Sequence, residues 1–433
     1  MNLKVLKNKN LVLVILGQFV SGFGTMMQSF ALSLYVLQKT GSAALFSSVM
    51  ALSIIPRVVL TPIAGVVADR FSRKKMIVIM DMVSAFAVAV FCGIYIINGE
   101  LNLVSIYILT MLLSAINSFF TPSMSAIVPD IVSKDQLADV NSIGALPQSI
   151  LGFISPLAGG VLFGLFGIFP IMIINAISFF ASSISEMFIK IKKESLQPAH
   201  EREHYFVSFK QGLKFIKSKP EIMLMVGVAV IANFALSPIF SVALPIVLLQ
   251  DFGVSEQLYG LFNSLTTIGM LIAPIFAAKI IKKRHYSKLV WSMLTFDGIL
   301  AIIIAALSIK GIFPSVMINY ISMIIVINVL IITIVWVNLA ISTATQLIVP
   351  GDMLGRVSSV IGTLAMIATP LGIALIGSLL EISKSYYIMA IYAAVLTVVG
   401  LASKFGFASL EKNGKMDMTV GLEIPQERIE ENA

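Results

Sequence analysis

The sequence predicts an all-α membrane protein with twelve transmembrane helices in two pseudo-symmetric six-helix halves. Three observations predict it. Of the 433 residues, 58% are hydrophobic and only 12% charged, with a mean hydropathy of +0.97, whereas a soluble domain carries roughly 25% charge. Apolar runs of about 20 residues, the length that crosses a bilayer, recur twelve times along the chain. Short turns poor in charge alternate with turns rich in Lys and Arg, the pattern of a chain threading back and forth through a membrane.

The runs fall at 11–37, 43–67, 76–98, 103–127, 143–167, 169–190, 222–249, 257–281, 289–309, 315–346, 357–380 and 386–405. The first follows Lys4, Lys7 and Lys9. It is too long for a signal-peptide core and lacks a small-residue cleavage site, so it reads as a span. Of the 30 Lys and Arg residues, only Lys39, Lys310 and Lys384 fall on the face opposite Lys4, and Arg57 lies inside a span. Basic residues near span ends stay cytoplasmic. Both termini are therefore expected in the cytoplasm, with the chain in the cell membrane. The net charge of +8 reflects this asymmetry and implies no nucleic-acid partner. The single cysteine, Cys92, lies in an apolar run and excludes an intrachain disulfide or a cysteine metal cluster.

Residues 191–220 break the rhythm. They are polar and basic, but Phe206, Phe209, Leu213 and Ile216 recur at helical spacing, which predicts an amphipathic helix on the inner membrane surface. The expected organisation is a six-helix half at 1–190, a cytoplasmic linker at 191–220, a second half at 221–405 and a cytoplasmic tail at 406–433. The halves repeat. V-P-D from Val128, D-Q-L-A-D-V-N-S from Asp135 and Pro156-Leu157 correspond to V-P-G from Val349, D-M-L-G-R-V-S-S from Asp352 and Pro370-Leu371.

The most specific motif is G-V-V-A-D-R-F-S-R-K-K, Gly65 to Lys75, between spans 2 and 3. A positive-inside loop explains its basic residues but not Gly65 and Asp69 at their offsets. The pattern G-x-x-x-D-R-x-x-R-K-K closely resembles the signature loop of the major facilitator superfamily. The resemblance implies that Asp69 faces the cytoplasmic start of span 11 in one transport state, where a helix N-terminus favours a carboxylate. Gly65, Asp69, Arg70 and Arg73 would then form a conformational latch. The loop between spans 8 and 9, with Lys282, Lys283, Arg284, His285 and Lys288, looks like a decayed copy.

In span 5, S-P-L-A-G-G (Ser155 to Gly160) resembles the antiporter motif of facilitator exporters; Pro156, Gly159 and Gly160 match, and Ser155 replaces a glycine. L-G-Q-F-V-S-G-F-G from Leu16, T-G-S-A from Thr40, Thr121-Pro122 and Gly355-Arg356-Val357 are similar to the macrolide-efflux and enterobactin-exporter type. Span 4 departs from many drug-proton antiporters, because it contains no Arg.

Ionisable residues within spans are functional candidates. Arg57 lies near the middle of span 2. Asp81 and Asp297 occupy equivalent places in spans 3 and 9. Asp81 is expected to pair with Arg57, which leaves Asp297 as the candidate proton-coupling acid, and Glu186 is expected to snorkel to the inner surface. Gln18, Gln28, Asn117, Gln148, Asn233, Asn263, Asn328 and Asn338 are candidates to line a substrate cavity. The string H-E-R-E-H at His200–His204 lies in a charged linker without the third ligand or cavity that zinc chemistry needs. No G-x-x-x-x-G-K-[ST] loop is present, so a proton gradient is the expected energy source and no cofactor is expected. The resemblance implies a monomeric exporter, not an enzyme, that moves a hydrophobic or amphipathic small molecule against protons by alternating access. A nutrient uptake permease is the main rival.

Overall fold

Short polar residues start each of the first four helices. In the computed structural model, which describes residues 7–132, 137–190, 205–283 and 285–413, Asn8 opens α1 (Lys9–Thr40) by accepting the backbone N–H groups of Asn10 and Leu11. Ser42, Ser72 and Asn102 do the same for α2 (Ala43–Arg70), α3 (Arg73–Asn98) and α4 (Leu103–Ile131). These side-chain oxygens satisfy donors that the first helical turn leaves unpaired. Gly41 and Gly99 close α1 and α3 in the left-handed conformation, at φ of 66° and 73°, which glycine adopts without steric cost. Next come α5 (Leu137–Phe166) and α6 (Ile168–Met187).

The second series begins with α7 (Tyr205–Ser218) and α8 (Pro220–Pro238). Two wide helical turns, Ile239–Ala243 and Val247–Asp251, flank the short α9 (Leu244–Ile246), so the seventh crossing is distorted around Pro238 and Pro245. The eighth crossing, expected as one helix, is two: α10 (Glu256–Thr266) and α11 (Ile268–Lys283). Four helices complete the chain: α12 (Tyr286–Leu307), α13 (Val316–Ile348), α14 (Gly351–Ile382) and α15 (Ser385–Lys412). Among the described residues eleven helical segments are long and apolar enough to cross a membrane, and Ile150–Phe166 of α5 adds a shorter apolar stretch.

Contacts group the chain into two units. One comprises Met1–Arg202 with Leu248–Thr267, the other Glu203–Val247 with Ile268–Ala433. In the first unit α1, α3 and α6 pack together, α2 packs on α4, and α5 lies between α1 and α10. In the second, α12 packs on α13 and α15, and α8 on α14 and α15. The grouping departs from the linear division at 221, since α10 joins the first unit.

The linker helix differs from expectation in its placement. Ile216 of α7 is buried in a cluster with Ile222, Val226, Val349, Val357 and Val360, and Phe209 and Leu213 pack against it. A Cβ at Gly212 would lie 2.7 Å from the Arg356 carbonyl oxygen, so the backbones of α7 and α14 nearly touch there. The apolar face assigned to the membrane surface therefore covers the start of α14. The same hydrophobic periodicity serves either surface, and only the neighbouring helix decides between them.

Candidate functional site

Each unit buries acid at membrane depth. In the first, Asp81 of α3 is 3% exposed and Glu186 of α6 is 0% exposed. The expected partner of Asp81 is absent: Arg57 is exposed on α2, and no ion pair of Arg57 occurs among the described residues. Asp81 instead faces Glu186, with which it interacts electrostatically. Hydroxyls stand in for a cation. Ser182 donates to Glu186 Oε1 at 3.3 Å, and Ser182 and Ser21 also reach Asp81. Gly17 makes room for this cluster, since a Cβ there would stand 3.1 Å from Ser182 Oγ and 3.2 Å from Glu186 Oε1. One oxygen of each acid, Asp81 Oδ2 and Glu186 Oε2, is buried without a hydrogen-bond partner. Glu186 therefore does not snorkel. Its place in the last turn of α6 suggested a route to water, but α1 and α3 close over it.

In the second unit Asp297 of α12 is 0% exposed. Its Oδ1 accepts a hydrogen bond from the Thr333 hydroxyl on α13, and its Oδ2 has no partner. Behind it, Gly298 lets α12 meet α15, with its absent Cβ 2.7 Å from Thr397 Cα. On the other side lies a cavity of about 190 Å³. Asp297 forms part of its wall with Asn233 and Ser237 of α8, Asn338 of α13, and Phe240. Asn233 donates to its own helix at Ala229 O, 2.9 Å away, so its amide oxygen is left to the cavity. Three residues singled out from sequence, Asn233, Asp297 and Asn338, thus meet at one site. Ser237 and Thr333 were missed, because serine and threonine are too common in membrane helices to mark a site by type alone.

The other polar candidates disperse. Gln28 is 1% exposed and accepts from Asn175 Nδ2 at 2.8 Å, so it ties α1 to α6 and lines no open space. Asn328 braces two helices, because its Oδ1 accepts the Gly269 N–H at 2.6 Å just beyond the break between α10 and α11. Asn263 donates to Tyr259 O in its own helix. Gln18 and Asn117 are half-buried on α1 and α4. The Gln148 side chain lies outside the described residues.

Of the latch, the side chains at Gly65, Asp69 and Arg70 also lie outside the described residues. Arg73 Nη1 donates to Ala126 O at 3.0 Å in the last part of α4, and Lys74 Nζ to Met187 O at 2.7 Å at the end of α6. Cations are favoured at helix C-termini, where carbonyls are unpaired. These two residues therefore bind three helix ends together. Of the loop between spans 8 and 9, Lys282, Lys283 and Arg284 lie outside the described side chains, and His285 is buried as the N-cap of α12.

The S-P-L-A-G-G motif shapes one packing seam. A Cβ at Gly159 would stand 3.2 Å from Met27 O of α1. At Gly160 it would lie 2.5 Å from Glu256 O and 2.9 Å from Gly260 Cα of α10, and at Gly260 it would lie 2.5 Å from Pro156 O. Glycine on both sides permits backbone contact that any side chain would block. Ser264 of α10 adds a bond to Phe153 O at 2.5 Å, and Phe30 stacks on Tyr259 at 5.3 Å.

The fold defines a multi-pass membrane protein. The family model described as Major Facilitator Superfamily matches residues 14–373, and the chain belongs to that superfamily. Macrolide efflux protein A of Streptococcus pyogenes is 24% identical over 364 residues, 83% of this chain and 86% of the relative. Multidrug efflux pump Tap of Mycolicibacterium fortuitum is 24% identical over 411 residues, covering 92% and 96%. Among solved structures, a bacterial homologue of the iron transporter ferroportin in an inward-facing state has a TM-score of 0.73 at 16% identity, covering 91% and 98%. The nucleoside transporter NupG has a TM-score of 0.66 at 15% identity, covering 94% and 99%. At that identity the structural likeness speaks for the fold alone.

Proposed function

We propose that this transporter exports an amphipathic small molecule from the cell in exchange for protons, with Asp297 as the proton-carrying acid. One observation carries the reading. Asp297 lies on a cavity wall with one carboxyl oxygen unpartnered and no cation paired to it among the described residues. Ionised in a dehydrated setting, such a carboxylate costs several kcal/mol; with a proton bound, it rests there as a neutral donor. Gain or loss of that proton would then change how one wall of the cavity receives a substrate, which couples the two movements. Asn233 and Asn338 would supply hydrogen bonds to polar groups of the substrate, while Val228, Leu236 and Phe240 would hold its apolar body.

The direction of transport draws support from the two efflux relatives, and it carries with it the expectation of a cell-membrane location with both termini in the cytoplasm. The full-length protein in liposomes, loaded with a panel of macrolides and dye-like drugs, tests it. An imposed pH gradient should drive substrate in the direction opposite to proton flow, and collapsing the gradient should stop it. Movement of substrate in the same direction as protons would favour the uptake reading instead.

A further inference from the structure

The mid-membrane cation left over by the acid pairing has a setting of its own. Arg57 is about 21 Å along α2 from Ala43 at 1.5 Å per residue, close to the centre of a 28-residue helix. That stretch of α2 is exposed on two opposite faces. Ile55, Val59 and Ile63 repeat every four residues on one, exposed by 42%, 60% and 52%. Arg57 and Thr61, both exposed, lie about 160° round the helix from them. The apolar row suits lipid tails. A guanidinium at this depth does not, and residues of its kind within spans face water-filled space or a partner.

The neighbouring helix extends the polar row. The Ser48 and Tyr107 hydroxyls meet at 2.5 Å, and Ser114 Oγ donates to Ser53 O at 2.5 Å. These ties hold α2 and α4 parallel with an offset near sixty residues, so one turn further Arg57 is level with Asn117. Thr121 donates to Asn117 Oδ1 at 3.2 Å, which occupies the amide oxygen and leaves the amide N–H groups available. The Arg57 guanidinium adds up to five more donors. Of the acids with described side chains in α1–α6 and the turns between them, Asp81 and Glu186 are enclosed by other helices, and Glu100 pairs with Lys39 at 2.8 Å.

We infer that Arg57, with Asn117 at the same depth, anchors an anionic oxygen group, a carboxylate above all, on the transported molecule. A planar fork of donors binds a carboxylate through two parallel hydrogen bonds, and charge assistance strengthens both. The cargo would then be an amphipathic acid, whose apolar body suits the surrounding helices. This deepens the export reading and rests on it only for the direction of movement.

The test uses the full-length protein in nanodiscs of neutral phosphatidylcholine and three fluorescent probes. All carry a dansyl group on the same ten-carbon chain, ending in a carboxylate, a primary amide or an ammonium. The carboxylate probe should bind about tenfold or more tightly than the amide. Arg57→Gln should erase that preference by weakening carboxylate binding far more than amide binding, and Arg57→Lys should keep part of it. Equal binding of carboxylate and amide, preference for the ammonium probe, or an unchanged ratio in Arg57→Gln would overturn the assignment. Loss of the carboxylate preference on adding phosphatidylglycerol would also overturn it, by giving Arg57 to lipid headgroups. Binding is read without a gradient. A carboxylate probe that binds through Arg57 but moves with protons in liposomes would thus refute export alone.

Discussion

The two units place an acid at matching positions of spans 3 and 9, yet surround them differently. Asp81 is enclosed by α1, α3 and α6 beside a second acid, and serine hydroxyls fill the space where a cation would sit. Asp297 stands alone, held by one threonine, with a cavity in front of it. Both acids are buried, 3% and 0% exposed, but Asp297 belongs to the wall of a cavity. Equal depth in the membrane therefore leaves the two acids with different neighbours: a second acid for one, a cavity wall for the other. The repeat supplied two copies of a mid-span acid, and the packing gives them different surroundings.

The largest effect is expected from Asp297→Asn. It should abolish transport driven by a pH gradient, a loss of a hundredfold or more in initial rate, while substrate exchange without a gradient continues. Asp81→Asn, assayed beside it, should retain gradient-driven transport within a few-fold. If Asp81→Asn uncouples and Asp297→Asn does not, the roles are reversed.

Next in size is the glycine seam. Gly160→Val places a side chain where Glu256 O and Gly260 Cα already stand at 2.5 and 2.9 Å from its first carbon. Transport should fall at least tenfold with the protein still inserted and monodisperse by size exclusion. Gly260→Val should match it, because the two residues face each other across one seam.

Thr333→Val sharpens the account of Asp297. It removes the one hydroxyl that holds the carboxyl, and a hydrogen bond to an ionised group is worth about 1.5–3 kcal/mol. The pH at which transport is half-maximal should move upward, since the charged form loses its donor and the protonated form is relatively favoured. An unmoved pH profile would separate Thr333 from the proton site.

The smallest effect is expected in the sealed pair. Asp81→Asn replaces one of two adjacent buried acids with a neutral residue of the same shape and leaves no cation orphaned. The melting temperature in detergent should stay within a few degrees or rise. Adding Arg57→Gln should change it no further, as Arg57 does not touch the pair. A large loss of stability rescued by Arg57→Gln would restore the ion pair that the sequence suggests and this structure lacks.

Much was legible before any coordinates. Apolar runs of bilayer length have only one way to satisfy their backbone in lipid, so the helices follow directly from composition and run length. The small polar residues that cap α1 to α4, Asn8, Ser42, Ser72 and Asn102, show their role only in the structure. Glycine and proline at Pro156, Gly159 and Gly160 signalled close packing, though not that α10 would be the partner. Depth along a helix follows from counting residues, which is why Asp81, Asp297 and Arg57 stood out. Facing does not follow from counting. Asp81 turns to Glu186 and not to Arg57, because which helices adjoin α3 is decided by long-range packing. Gln28 and Asn328 look like cavity residues by type, but neighbouring helices occupy their hydrogen-bonding groups. The break in the eighth crossing is hidden for the same reason: the Gly269 N–H near it finds its acceptor 59 residues away in sequence. Composition, run length and motif spacing carry the family, the apolar crossings and the list of charges that fall within them. Which charges meet and which are enclosed depends on side chains far apart in the chain arriving at one place, and so follows from the packing of the helices.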